Sequence, residues 1–214
     1  MKIKVCGMRD KENIIGLSKL KPDYMGLIFY AQSKRFANKP DQEILATLPE
    51  SIKLTGVFVN AQIDEILQKV SQFDLDAIQL HGTESAEFCS LLQGKLSKSV
   101  AGKHVEILKA FGISPDFNFN ILDAYQNVCD FFLFDTKTAD HGGSGMTFDW
   151  ELLAKYRGPK PYFLSGGLSP ENISGISKFG GKYLYGVDLN SKFEIEPGLK
   201  DLDSLKQAFK LLRN

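Results

Sequence analysis

Short apolar runs recur along the chain, separated by polar junctions. Eight stand out, at 3–6, 24–29, 54–59, 77–80, 105–111, 131–134, 162–164 and 183–187. Their lengths and their β-branched and aromatic content suit buried strands rather than helices. Each run leads into a segment of helical period. Ile63, Ile66, Leu67 and Val70 fall at i, i+3, i+4 and i+7, one apolar face of a helix. Ile44, Leu45 and Leu48 follow the same rule, as do Leu202, Leu205, Ala208, Phe209 and Leu212. Helix starts are marked too: Ser169 precedes Pro170 and Glu171, an N-cap before a first-turn proline, and Asp41 follows Pro40 at another start.

Strand then helix, repeated eight times, predicts a parallel α/β protein. The 214 residues give about 27 per unit, near the minimal size of a βα unit. Eight units close into a (β/α)8 barrel. A doubly wound open sheet is the alternative, but it usually needs only five or six strands. No linker or charge block interrupts the chain, so residues 1–214 are expected to form one domain.

Composition narrows the partners. The 26 Lys+Arg balance 26 Asp+Glu, which argues against a nucleic-acid binder and its basic excess. With 43% hydrophobic residues and 16 Phe, the chain is not of a disordered type. Cys6, Cys89 and Cys129 are odd in number and far apart. They imply no disulfide framework and no Cys-x-x-Cys zinc site, and they favour a reducing, cytoplasmic compartment. The start lacks a secretory pattern, and no apolar run is long enough to span a membrane.

Barrel chemistry gathers where strands end, in the βα loops. Along the first strand Lys2, Lys4 and Cys6 share one face and Ile3 and Val5 the other. The apolar face should meet the helices, leaving Lys4 and Cys6 inside. Two residues of strand span about 6.6 Å, so the Lys4 ammonium can approach the thiol and favour thiolate. Cys6 is then a candidate general base or nucleophile; a small buried hydrophobe is the alternative. Cys89 and Cys129 read as inert packing. Asp135 ends the most apolar strand, where a carboxyl group suits a general acid. Asp188 is a weaker case, since it also suits helix capping.

Glycines concentrate in the late loops. Gly166 and Gly167, together with Asp188, Leu189, Asn190 and Ser191, fit a phosphate site of the kind that late barrel loops build from backbone N–H groups. Gly142, Gly143 and Gly145 read as a mobile lid, not a P-loop, because no Lys-Ser/Thr follows. Arg35 suits a carboxylate or phosphate, and equally a solvated loop. His81 reads as a ligand contact or a satisfied core histidine.

Six motifs, in order along the whole chain, resemble phosphoribosylanthranilate isomerase, a family of tryptophan biosynthesis. They are KVCGM at 4–8, SKRF at 33–36, IQLHG at 78–82, FDTKTADHGGSGMTFDW at 134–150, LSGGLSPENI at 164–173 and GVDLNSKFE with PGLKD at 186–201. The resemblance implies a (β/α)8 barrel with no metal and no cofactor, acting on a small phosphorylated substrate. It implies an Amadori rearrangement with Asp135 as acid and Cys6 as base. It also implies Arg35 on the anthranilate carboxylate, phosphate at Gly166, Gly167, Asn190 and Ser191, and His81 and Asp188 at the rim.

The chain departs from the family in three places. Asn190 stands where many members have Ser, Lys192 and Phe193 replace Gly-Val, and Lys34 replaces a proline. Competing readings are another phosphate-binding barrel enzyme, such as indoleglycerol-phosphate synthase or a paired-aspartate sugar isomerase, and a noncatalytic phosphate-binding barrel. The synthase calls for a catalytic lysine and glutamate at strand ends, and the isomerase for Asp at position 6. No nucleic-acid or membrane partner is expected. A monomer is the default state, with a homodimer as the alternative.

Overall fold

The computed structural model describes residues 1–99, 102–137, 149–179 and 181–213, without the side chains of 177 and 178. Eight parallel strands form a closed barrel in chain order: β1 (Lys2–Cys6), β2 (Tyr24–Ile28), β3 (Lys53–Phe58), β4 (Ala77–Leu80), β5 (Glu106–Ile113), β6 (Phe131–Thr136), β7 (Tyr162–Leu164) and β8 (Leu184–Leu189). β1 is bonded to both β2 and β8. That closure excludes the open doubly wound sheet. All eight apolar runs are strands, and β5 runs two residues past its expected end at 111.

The returning segments are less uniform than their periodicity suggests. α1 (Lys11–Ser18), α3 (Ile63–Phe73), α4 (Ala86–Ser99) and the final α5 (Leu202–Arg213) are ordinary helices. α2 is only Gln42–Ala46; Asp41 caps it by accepting from the Ile44 amide. Leu48 falls beyond its end, where Pro49 disfavours helical backbone in the residue before it. After β5, β6 and β7 the chain forms 3₁₀ turns instead, at Phe119–Tyr125, Trp150–Lys155 and Ile173–Lys178. Two of these stretches are rich in Asn, Ser, Gly and aromatic residues, weak helix formers that leave a short segment in the tighter turn.

Ser169 is not the helix cap its sequence suggested. Its amide donates to the Asn172 side chain at 2.8 Å, and the Asn172 amide group donates to the Gly167 carbonyl at 2.9 Å. That side chain holds the segment as a turn, and the 3₁₀ helix starts only at Ile173.

The alternation of β1 sorts its residues as expected. Ile3 and Val5 join the apolar layer between barrel and helices. The barrel interior holds a smaller cluster of Tyr24, Ala77, Leu108, Ala110, Leu133 and Phe163. Tyr24 meets Phe163 edge-on at 5.2 Å, and Phe131 lies 4.5 Å from Tyr185. These rings come from the early parts of their strands, so they fill the N-terminal end of the barrel. The buried polar side chains Lys4, Gln79 and Asp188 sit among the remaining interior positions. Beyond β8 the chain makes a short 3₁₀ turn, Ser191–Phe193, then a two-stranded hairpin of β9 (Glu194–Glu196) and β10 (Leu199–Lys200). Among the described residues no helix is long and apolar enough to cross a membrane.

Candidate active site

Cys6 ends β1 with its side chain inside the barrel, buried. The neighbouring strand makes room for it. A Cβ on Gly26 would stand 2.8 Å from the Cys6 Sγ and 3.1 Å from its Cα. Only glycine at that pairing position lets the thiol occupy its place.

Lys4 is completely buried and donates to Asp188 Oδ2 at 2.8 Å. Its ammonium also lies near enough to the Cys6 sulfur to influence it. Lys4 does favour the thiolate, as expected, but the net shift runs the other way. Burial pushes the Cys6 thiol above its ordinary pKa. Lys4 and, less strongly, Lys200 pull the other way, while the Asp188 carboxylate beside the sulfur adds to the rise. The resting group is a thiol, not a thiolate. Burial likewise drives the Asp188 carboxyl up against the attraction of Lys4. Lys4 itself is held above its usual value, since its burial is more than offset, chiefly by the Asp188 carboxylate. Asp188 caps no helix; it lies within β8, and its second oxygen, Oδ1, is buried without a hydrogen-bond partner.

Asp135 lies within β6, one residue from its end. Its Oδ1 accepts from the Thr136 amide at 2.8 Å, and its Oδ2 lies 3.3 Å from His81 Nε2. The other imidazole nitrogen, Nδ1, is 2.8 Å from Gln79 Nε2. Gln79 thus aims the ring at the carboxylate, and His81 is a half-buried histidine with a partner on each ring nitrogen. Nothing in the run IQLHG singles out Gln79 for this task except its place two residues before His81, on the same strand face.

Gly166 stands against Asp135. Its φ is +80°, and a Cβ there would lie 2.5 Å from Thr136 Oγ1 and 3.0 Å from Asp135 Oδ1. Gly167 follows in the same left-handed region, at φ +69°. Ser191 opens the short 3₁₀ turn after β8. Asn190 Oδ1 accepts from Lys200 at 2.7 Å, so its backbone rather than this oxygen is left for a ligand. The lid glycines Gly142, Gly143 and Gly145 lie outside the described residues.

Arg35 is brought to the same rim from the loop after β2. Its Nε and Nη2 donate to the Glu194 carboxylate over 2.7–3.0 Å. Glu194 also accepts from Lys200 at 2.7 Å. Burial raises the Glu194 carboxyl, but the two cations outweigh it and hold the group below its usual value. Burial holds the Lys200 ammonium down to about 8 even with Glu194 beside it. Glu194 and Lys200 were visible in the last motif, yet their spacing gave no sign that they meet Arg35.

The site therefore joins an acid candidate, a base candidate and an anion-binding group at one end of a closed barrel. A family model for N-(5'phosphoribosyl)anthranilate (PRA) isomerase matches residues 3–211. The N-(5'-phosphoribosyl)anthranilate isomerase of Parabacteroides distasonis is 45% identical over 208 residues, covering 96% of this chain and 90% of that one. The Thermotoga maritima isomerase structure superposes with a TM-score of 0.81 at 34% identity, covering 100% of this chain and 98% of that one. A phosphoribosyl anthranilate isomerase in complex with reduced 1-(o-carboxyphenylamino)-1-deoxyribulose 5-phosphate superposes with a TM-score of 0.79 at 31% identity, with the same coverage. The chain belongs to the N-(5'-phosphoribosyl)anthranilate isomerase family.

Proposed function

We propose that this chain isomerises N-(5'-phosphoribosyl)anthranilate to 1-(2-carboxyphenylamino)-1-deoxyribulose 5-phosphate, in tryptophan biosynthesis, with Asp135 as general acid and Cys6 as general base. The observation that carries the reading is the family match from residue 3 to 211. In its support, both proton-handling candidates sit at the strand ends of one barrel. The acid protonates the furanose ring oxygen, and the ring opens to a Schiff base. The base removes the C2 proton to give an enolamine, which tautomerises to the ketone. Each positioned proton transfer contributes about 10²–10⁴ in rate.

An acid must recover its proton between turnovers. His81, 3.3 Å from Asp135, is the neighbour that can exchange one with it. Its ring is already oriented by Gln79. The relative solved with a reduced carboxyphenylamino-deoxyribulose phosphate supports a phosphorylated small molecule as substrate here. In this reading the phosphate lies against the backbone of Gly166, Gly167, Asn190 and Ser191, and the anthranilate carboxylate meets Arg35. The enzyme is placed in the cytoplasm, in keeping with three free cysteines. It is read as a monomer. The Thermotoga maritima isomerase is dimeric and has also been solved as monomers, which keeps the homodimer as the alternative.

The direct test follows the fluorescence of the anthranilate sugar as purified protein consumes it. No loss of substrate signal above the uncatalysed rate refutes the assignment. Cys6→Ser and Asp135→Asn should each lower kcat at least roughly a hundredfold while substrate still binds. Near-wild-type turnover in either variant removes that residue from its role.

A further inference from the structure

Lys200 is the most deeply buried charge near the site that the proton chemistry does not use. Its main chain is fixed on both sides by one side chain of α1. The Lys200 amide donates to Asn13 Oδ1 at 2.7 Å, and Asn13 Nδ2 donates to the Lys200 carbonyl at 2.9 Å. The ammonium then donates at 2.7 Å to both Asn190 and Glu194. Apolar replacements of buried ion pairs are often neutral or stabilising, so stability alone does not account for this ammonium.

Charge counting does account for it. Glu194 occupies the Nε and Nη2 donors of Arg35, leaving Nη1 as the guanidinium group outside that pair. Arg35 and Glu194 by themselves would cancel and offer an incoming carboxylate little attraction. With Lys200, two cations face one carboxylate and the cluster keeps a single positive charge. We propose that Glu194 and Lys200 are positioning residues that hold Arg35 as a net-positive clamp for the ring carboxylate of the substrate. The inference rests on the reading of Arg35 given above.

The test compares two substrates, N-(5-phosphoribosyl)anthranilate and its descarboxy analogue N-(5-phosphoribosyl)aniline. Lys200→Met makes the cluster neutral. It should raise KM for the carboxylated substrate roughly tenfold and shift KM for the aniline far less. Glu194→Gln together with Lys200→Met restores one net positive charge, and the KM should return toward wild type. A merely structural lysine would not be rescued by a second buried substitution.

The wild-type enzyme provides an arm that needs no variant. The groups facing Lys200 are Glu194, Asn190, Arg35 and the Cys6 thiol. As pH rises through about 8, Lys200 loses its proton, and KM for the carboxylated substrate should rise relative to that for the aniline. Ionisation of the phosphate is common to both substrates and cancels in the ratio. If Lys200→Met leaves the KM ratio unchanged, or the double variant is not rescued, while Arg35→Ala raises KM, the clamp is wrong and Arg35 stands. If Arg35→Ala leaves KM unchanged, the underlying reading of Arg35 fails instead.

Discussion

As the proposed general base, Cys6 begins its cycle holding a proton. Burial raises its pKa by more than the Lys4 ammonium, itself bonded to Asp188, lowers it. The sign of the pH effect follows. A base works in its deprotonated form, and a raised pKa puts more of that form on the alkaline side. Under saturating substrate, kcat should rise from pH 7 towards pH 9, and the residual kcat of Cys6→Ser should lack that rise. A flat wild-type profile across this range refutes a thiol as the titrating base. Lys4→Met tests the neighbour. It leaves Asp188 buried and unpaired, with an expected loss of about 3–5 kcal/mol in stability by denaturant unfolding. Lys4→Met with Asp188→Asn removes both charges and should recover much of that loss. At this scale the sequence was half legible. Period-two alternation put Lys4 and Cys6 together inside the barrel, because their separation is local. The partner that sets their electrostatics is Asp188, 184 residues from Lys4, and no local pattern reports it.

The eight strands were legible because each carries its own signal: a short apolar run buried on both faces. The helices were less so. Their periodicity marks which side faces the barrel, but not whether the backbone closes as α or 3₁₀, a choice left to the competition between weak helix formers and tertiary packing. The junction after β7 shows the point, since Asn172 took the amide and carbonyl groups that a capped helix would have arranged differently. That junction also packs against Asp135, the proposed acid. Gly166 holds a left-handed backbone directly against Thr136 and Asp135. Gly166→Ala should cost about 1–3 kcal/mol in stability from the backbone alone. It should also lower kcat, because the new methyl group must displace Thr136 or the Asp135 carboxylate. Full stability and full kcat in that variant would show that the β7–β6 contact plays no part in placing Asp135.

Closure of the barrel is what turns scattered motifs into one site. Arg35 and Glu194 are 159 residues apart, yet their side chains are bonded once β1 meets β8. The motifs named the rim, while the pairings across it depend on the whole ring and could not be read from spacing. The same scale bears on how the proposed substrate, with two acidic groups, meets a chain of zero net charge. A large basic field would draw such a ligand from beyond a Debye length of about 10 Å and would weaken steeply with salt. Here the positive charge proposed to meet the carboxylate comes from Arg35, partly buried, and Lys200, fully buried, at one rim, and is partly balanced by Glu194. Such charges act at contact rather than at range. The value of kcat/KM should therefore fall by less than roughly threefold between 0.05 and 0.5 M KCl. Stopped-flow or steady-state fluorescence across that range decides the matter. A decline of roughly tenfold or more would mean that substrate is steered by surface charge beyond the rim, and that the zero net charge hides a basic face which the local clamp does not explain.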